Sequence, residues 1–296
     1  MNDAVSAVAL TWLVDVIETE FVALRLGPPA LHAAFSAALT HAVGPDVPAL
    51  MIEAGNRIAD AMDAAAQAGP ELAYHDRHHV AEAVLSMGWL VGEARRQGMV
   101  RTDAATLALV GMVGHDLLHD GSPPRGGVLE QRAADAVARA TSGLGISEHG
   151  RAVIRAVIMG TDPFRVGSNA ARAAGLLPAG PLGREVDTLI AMANEADVLA
   201  SLMPDLGWEL TEALARERAL ANDPDAADLL TFNARLRFLQ TYDRQSRAAR
   251  ALGLEAIVNR QIQSFAPFGD TLEEGAAALD RLPRAEARDR YRAALA

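Results

Sequence analysis

The stretch AYHDRHHVAEAVLSMGWLVGEARR, residues Ala73 to Arg96, gathers three of the chain's eight histidines beside an aspartate and then runs on as an apolar repeat. Val80, Val84, Met87, Leu90 and Val91 recur at the spacing of one helical face, which predicts a core helix with imidazoles at its start. The same rhythm returns at Leu107, Val110, Val113 and Leu117, again after Ser147 at Val153, Ile154, Val157 and Ile158, and through the run from Val186 to Met203. Alternating strand patterns are missing, alanine is abundant, and Gly-Pro punctuation such as Gly27-Pro28-Pro29, Gly44-Pro45 and Gly69-Pro70 separates the runs. The chain reads as an all-α protein built as a single multi-helix domain over 1–296. Within it, 1–68 form leading helices, 69–265 a core that holds the histidines, and 266–296 terminal helices that either cover a pocket or join copies of the chain.

Composition removes several function classes. Half of the 296 residues are apolar, enough for a substantial core, and there is no cysteine, so any metal must be held by nitrogen and oxygen. That composition fits a reducing cytoplasm. A net charge of -11 speaks against a broad basic grip on nucleic acid. The opening MNDAVSAVALTWLVDVIETEF reads as an amphipathic helix, and no window approaches the roughly 18 apolar residues of a membrane span.

Against that apolar background four polar residues stand out. His79 starts one core helix, His115-Asp116 ends the next, and Asp197 interrupts LIAMANEADVLA. Each is costly to bury alone, and two carboxylates near two imidazoles make a divalent cation the economical partner. Two nitrogens and two oxygens suit Zn, Mn, Fe, Co or Mg without choosing among them. His115 and His119, four apart, are expected on one helical face, with His75 and His79 similarly close if their helix starts early. An inner imidazole of each pair would then bind metal while the outer one orients ligands or moves protons.

These residues resemble the signature of the HD superfamily of metal-dependent phosphohydrolases, a histidine, a His-Asp doublet and a distant aspartate. The local context is similar to the catalytic domain of class I cyclic-nucleotide phosphodiesterases. Tyr74-His75-Asp76-Arg77-His78-His79 resembles that family's Y-H-N-x-x-H, and His115-Asp116-Leu117-Leu118-His119-Asp120-Gly121 its H-D-x-x-H-x-G. Val128-Leu129-Glu130, Thr161-Asp162 and Ala196-Asp197 follow in the same order. The resemblance implies a helical domain with a binuclear metal centre acting on a small-molecule phosphate ester, a nucleotide. His79, His115, Asp116 and Asp197 would hold the tighter ion, with Asp116 bridging to a second, largely hydrated one. A metal-bridging hydroxide would attack phosphorus and His75 would protonate the leaving oxygen. Tyr74, His119, Glu130, Thr161 and Asp162 would support the ligands or position water and substrate.

The chain also departs from the pattern. Asp76 stands where the family has asparagine, which would place negative charge beside His75. Gln131-Arg132-Ala133 follows Glu130 where the family has two histidines, and the link from His119 to Thr161 is short. Aligning Phe238 with the family's pocket phenylalanine puts Arg235, three residues earlier, in place of the purine-selecting glutamine, with Gln240 nearby. Arg235, Arg237, Arg244, Arg247 and Arg250 otherwise read as one late basic helix surface. GSPPRGG reads as a turn whose Arg125 is within reach of a phosphate, and His32, His41, His78 and His149 as surface or packing residues. A nucleotide phosphomonoesterase and a catalytically silent nucleotide sensor remain as alternatives. A di-iron oxygenase would need two further ligand histidines between the doublet and Asp197.

Overall fold

The computed structural model describes residues 7–243 and 245–295. The start of the expected N-terminal helix, residues 1–6, and Arg244 of the basic run lie outside the described residues. Fifteen α-helices follow one another, and no strand occurs among the described residues.

The leading segment forms α1 (Ala7–Leu26), α2 (Leu31–Ala42) and α3 (Ala49–Ala68), closed by Gly69 as the punctuation predicts. The central helix α4 (Arg77–Arg96) carries the stretch quoted at the outset and is buried on most sides. It packs on α2 so closely that a Cβ on Gly88 would lie 2.8 Å from Ala38, so only glycine permits this crossing. On another side α1 is tied to it by Arg25, whose guanidinium donates to both oxygens of the buried Glu82 at 2.5 and 2.8 Å, and by Phe21 against Trp89. α4 also packs against α5 (Thr102–Val113) and α9 (Arg184–Val198). Its first turn is closed by Asp76, whose Oδ1 accepts the His79 N–H at 2.8 Å.

α6 (Val128–Ala140) and α7 (Glu148–Gly160) pack together beside α5, and α7 starts at Ser147, whose hydroxyl accepts the Gly150 N–H. A short helix α8 (Val166–Ala173) rests on α9. The C-terminal part is α10 (Leu206–Leu220), α11 (Phe232–Thr241), α12 (Arg247–Ala251), α13 (Leu254–Gln263), α14 (Leu272–Asp280) and α15 (Arg284–Leu295). A continuous apolar cluster runs from Leu10 on α1 to Tyr291 on α15.

Two sequence expectations need correction. The helix expected through Leu117 ends at Val113: Gly114 closes it, residues 114–118 form turns, and Leu118 takes a left-handed conformation at φ 67°. His115 and His119 therefore do not share a helical face. The run to Met203 also stops early, at Val198, and tightens into a 3-10 turn over Ala200–Leu202.

Candidate metal centre and its cavity

Three helix ends deliver the four expected ligands. His79 lies in the first turn of α4, His115 and Asp116 lie in the turn just past α5, and Asp197 lies in the last turn of α9. Their ligating atoms all fall within 4.8 Å of one another. His79 Nε2 is 3.1 Å from Asp197 Oδ1 and 3.2 Å from Asp116 Oδ2, while His115 Nε2 is 3.1 and 3.3 Å from the same two oxygens. Nitrogen and oxygen thus alternate around a small ring. Two ligands about 2.1 Å from a shared ion lie about 3.0 Å apart at a right angle and about 3.4 Å apart in a tetrahedron. The observed separations fall between these values.

The hydrogen bonds around the cluster support a cation. His115 Nδ1 donates to the Met112 carbonyl at 2.8 Å, so Nε2 is the ring nitrogen turned toward the two carboxylates, and it offers a lone pair to a cation once its proton is lost. Asp116 Oδ2 and Glu130 Oε2 are buried without a hydrogen-bond partner. Burial raises the Glu130 carboxyl, and the negative charges of Asp162, Asp116 and Asp197 raise it further. Without a cation the cluster is balanced only by protons on its imidazoles. Burial opposes ionisation of Asp116 and Asp197, yet the charges of His115 and His75 hold Asp116 well below the usual carboxylate range, and the His115 charge with the hydrogen bonds from His115 and His79 holds Asp197 at about 2. Burial opposes protonation of His79, but the surrounding Tyr74, Asp116 and Asp197 lift it well above the ordinary imidazole value. Orphaned oxygens, an Nε2 turned toward them and an N2O2 donor set all fit a divalent ion.

The outer imidazoles also meet, though not by helical spacing. His75 and His119 stack with ring centres 3.8 Å apart and a 19° tilt, and with Asp116 they form a second group able to hold a metal. His119 Nδ1 accepts the Gly121 N–H at 3.0 Å, which leaves its proton on Nε2, and burial with the His75 charge lowers the ring to about 4. His119 is thus a neutral hydrogen-bond donor near neutrality.

The partner of His75 is Glu217 on α10, a residue that sequence reading missed. Glu217 Oε1 lies 2.5 Å from His75 Nδ1, and Oε2 accepts the backbone N–H groups of Tyr74 and His75 at 2.8 and 3.1 Å. Burial disfavours its charge, but these bonds from His75 and Tyr74 hold it at about 2. Glu217 therefore accepts a hydrogen bond from His75 Nδ1–H and leaves Nε2 as the free ring nitrogen. Nothing around ALARERAL in the sequence marks one glutamate of an ordinary helix for this task. Tyr74 is anchored by its hydroxyl to Ser201 Oγ at 2.9 Å, another contact invisible in sequence.

Tyr74, His75, Asp116, His119, Glu130, Thr161, Asp197 and Arg235 all line one cavity of about 280 Å³. Asp162 does not: its Oδ1 accepts the Phe164 N–H and its Oδ2 pairs with Arg165, so it acts as a local cap. Thr161 lines the wall while its hydroxyl donates to the Ile158 carbonyl. Asp76 directs its carboxylate to the α4 N-terminus, Arg25 and His78. His78 is a bystander, bonded to the Gly27 carbonyl. Arg125 is exposed and lies outside the cavity wall.

Arg235 and Phe238 line the cavity from one turn of α11, whereas Gln240 is bonded to Glu273 at the surface. The guanidinium of Arg235 is buried and committed to the Ser201 and Met203 carbonyls and Gln261 Oε1 at 2.6 to 3.0 Å. Gly207 makes room for it, since a Cβ there would meet Arg235 Nη1 at 2.9 Å. The late arginines do not form one basic face: Arg235 is interior, Arg237 is exposed on α11, and Arg247 and Arg250 belong to α12.

Among solved structures the fold is similar to the phosphodiesterase domain of a rhodopsin phosphodiesterase fusion protein from the choanoflagellate Salpingoeca rosetta. One crystal structure of that domain aligns at 13% identity with a TM-score of 0.57, covering 89% of this chain and 91% of that one. A second aligns at 14% identity with a TM-score of 0.50, covering 90% and 85%. The likeness extends over nearly the whole helical framework. No protein-family model and no curated protein matches the sequence.

Proposed function

We propose that the chain is a metal-dependent phosphohydrolase of the HD type that cleaves a phosphodiester, a 3′,5′-cyclic nucleotide, to the 5′-monophosphate. One observation carries this reading: the His79, His115, Asp116 and Asp197 cluster and the Glu217-held His75 open into the same cavity, within a fold shared with phosphodiesterase domains.

Divalent ions, when bound, acidify water and offset charge on the phosphoryl oxygens. The protein's residues supply the rest. Water adds to phosphorus and gives up a proton to solvent, the bond from phosphorus to the leaving oxygen breaks, and His75 Nε2 delivers the proton which that oxygen needs and is reprotonated from solvent after the step. Glu217 orients the ring and balances its charge through Nδ1–H. His119, with its proton on Nε2, donates a hydrogen bond toward the reacting group, and Glu130 accepts from water on the opposite wall. Tyr74 and Ser201 keep His75 and the Asp197 side of the cavity in register.

The test is turnover of cyclic AMP and cyclic GMP by purified protein with manganese or magnesium, with Asp116→Ala alongside. Release of the 5′-mononucleotide by wild type alone is expected. Bound metal with no turnover of either compound would refute the cyclic-nucleotide reading.

A further inference from the structure

The segment that follows α9, residues 199–203, is gripped by side chains from two other helices. Arg235 on α11 donates from Nη1 to the Ser201 carbonyl at 2.6 Å, and from Nη2 to the Met203 carbonyl at 3.0 Å and Gln261 Oε1 at 2.7 Å. Gln261 on α13 donates from Nε2 to the intervening Leu202 carbonyl at 2.6 Å. Three successive carbonyls thus end on one Arg–Gln pair. Both side chains are buried, and the Gln261 backbone carbonyl is itself held by the Tyr291 hydroxyl at 3.2 Å. These acceptors of Arg235 are all uncharged. The Glu18 carboxylate, whose charge favours the cation, bonds instead to the Asp205 and Leu206 N–H groups. A buried guanidinium on neutral acceptors is a costly way to satisfy carbonyls, since a neutral amide such as Gln261 does the same. What the guanidinium adds is rigidity, because its planar fork fixes two carbonyls and a side chain at once.

The clamped segment carries the support of the proton donor. Ser201 Oγ holds the Tyr74 hydroxyl at 2.9 Å. The Tyr74 ring meets His75 edge-on with centres 4.7 Å apart, and lies 4.8 Å from the His79 ring. Tyr74 is therefore a strut between the segment and His75. Glu217 fixes Nδ1 of the His75 ring, and the Tyr74 ring on one side with the stacked His119 on another limits how that ring tilts. The segment has little room to shift, since even a Cβ on Gly207 would lie 2.3 Å from the Ser201 carbonyl oxygen. Resting on the reading in which His75 protonates the leaving oxygen, we propose that Arg235 and Gln261 are positioning residues for that step, acting through Ser201 and Tyr74 on the aim of His75 Nε2.

The test has two arms on the manganese-loaded full chain. The first measures kcat and KM for cyclic AMP, whose leaving alkoxide needs a proton, and for bis(4-nitrophenyl) phosphate, whose nitrophenolate leaves without one. Arg235→Met and Gln261→Met should each lower kcat for cyclic AMP roughly tenfold or more, the scale of a misaimed group, with KM and nitrophenyl turnover within about threefold. Tyr74→Phe should do the same, and Arg235→Met added to it should lower kcat little further, because both act on one path. Arg235→Lys, which keeps the charge but not the fork, takes the place of a methionine variant that does not fold. The second arm follows the His75 Nδ1–H resonance in protein labelled with nitrogen-15 histidine, which should shift or broaden in the same variants. Equal losses on both esters, a raised KM without a fall in kcat, additive losses, or an unmoved resonance each overturn the positioning role. The second arm needs no turnover, so a resonance that moves with the clamp in a protein that hydrolyses neither ester sinks the hydrolase reading alone. Turnover of both esters with rates and resonance unchanged in the variants sinks only the clamp.

Discussion

Glu217→Gln removes one charge and keeps the shape of the side chain. The carboxylate accepts three hydrogen bonds, two from backbone N–H groups and one, at 2.5 Å, at His75 Nδ1. A glutamine oxygen can keep the two backbone donors, but its amide then turns an N–H toward His75 Nδ1. That ring nitrogen must give up its proton to accept, so His75 becomes a neutral donor through Nε2 and a poorer acid. A hydrogen bond to a charged group is worth about 1.5–3 kcal/mol, which corresponds to a loss of roughly 10- to 150-fold in kcat. The assay uses two esters, one with an alkoxide leaving group such as a cyclic nucleotide and one with a nitrophenolate that leaves without protonation. The loss should be large for the first and within about threefold for the second. Equal losses on both esters, or none on the alkoxide ester, would refute the proton-delivery role.

Asp116→Ala and His79→Ala should each abolish stoichiometric metal by elemental analysis while the helical circular dichroism stays intact; wild-type metal content in both would refute the ligand set. Manganese should raise the melting temperature in proportion to the logarithm of its free concentration, and chelation should reverse this, because the ion binds only the assembled cluster. Glu217, held at about 2 against an ordinary 4.5, contributes stability that is complete above pH 4.5 and lost as the pH falls toward 2. Discounted for the solvent at the cavity, that amounts to about 2 kcal/mol in denaturant unfolding, and Glu217→Gln should lack this acid-dependent share. Arg25→Met strands the buried Glu82 and should cost about 2–4 kcal/mol, whereas Arg25→Met with Glu82→Leu should recover most of it.

The helical framework was legible because its signals are local: apolar spacing marks α4, α7 and α9, and Ser147 marks the start of α7. The cluster of His79, His115, Asp116 and Asp197 was legible as a group because carboxylates and imidazoles inside apolar runs are costly and therefore informative. Glu217 was not, since a charged residue on an amphipathic helix is ordinary and its role arises only when α10 folds against the loop before α4. Arg235 was singled out by alignment, but its partners Ser201, Met203 and Gln261 come from distant segments, so its firm anchorage could not be read. The end of α5 was misplaced for a related reason. Leu117 continues the apolar rhythm, and the left-handed Leu118 that breaks it is an uncommon conformation for leucine.

That break has a bearing on transplanting the site into another scaffold. Neighbouring side chains on a straight α-helix point about 100° apart, which would splay a His-Asp doublet around the cylinder. Here the chain leaves the helix at Gly114, and His115 Nε2 comes within 3.3 Å of Asp116 Oδ2 so that adjacent residues meet at one point. A graft that copies the doublet onto an unbroken helix would carry the right letters and the wrong directions. The portable unit is the helix end with its turn, from Gly111 to Gly121, and the scaffold must offer a place where a helix stops.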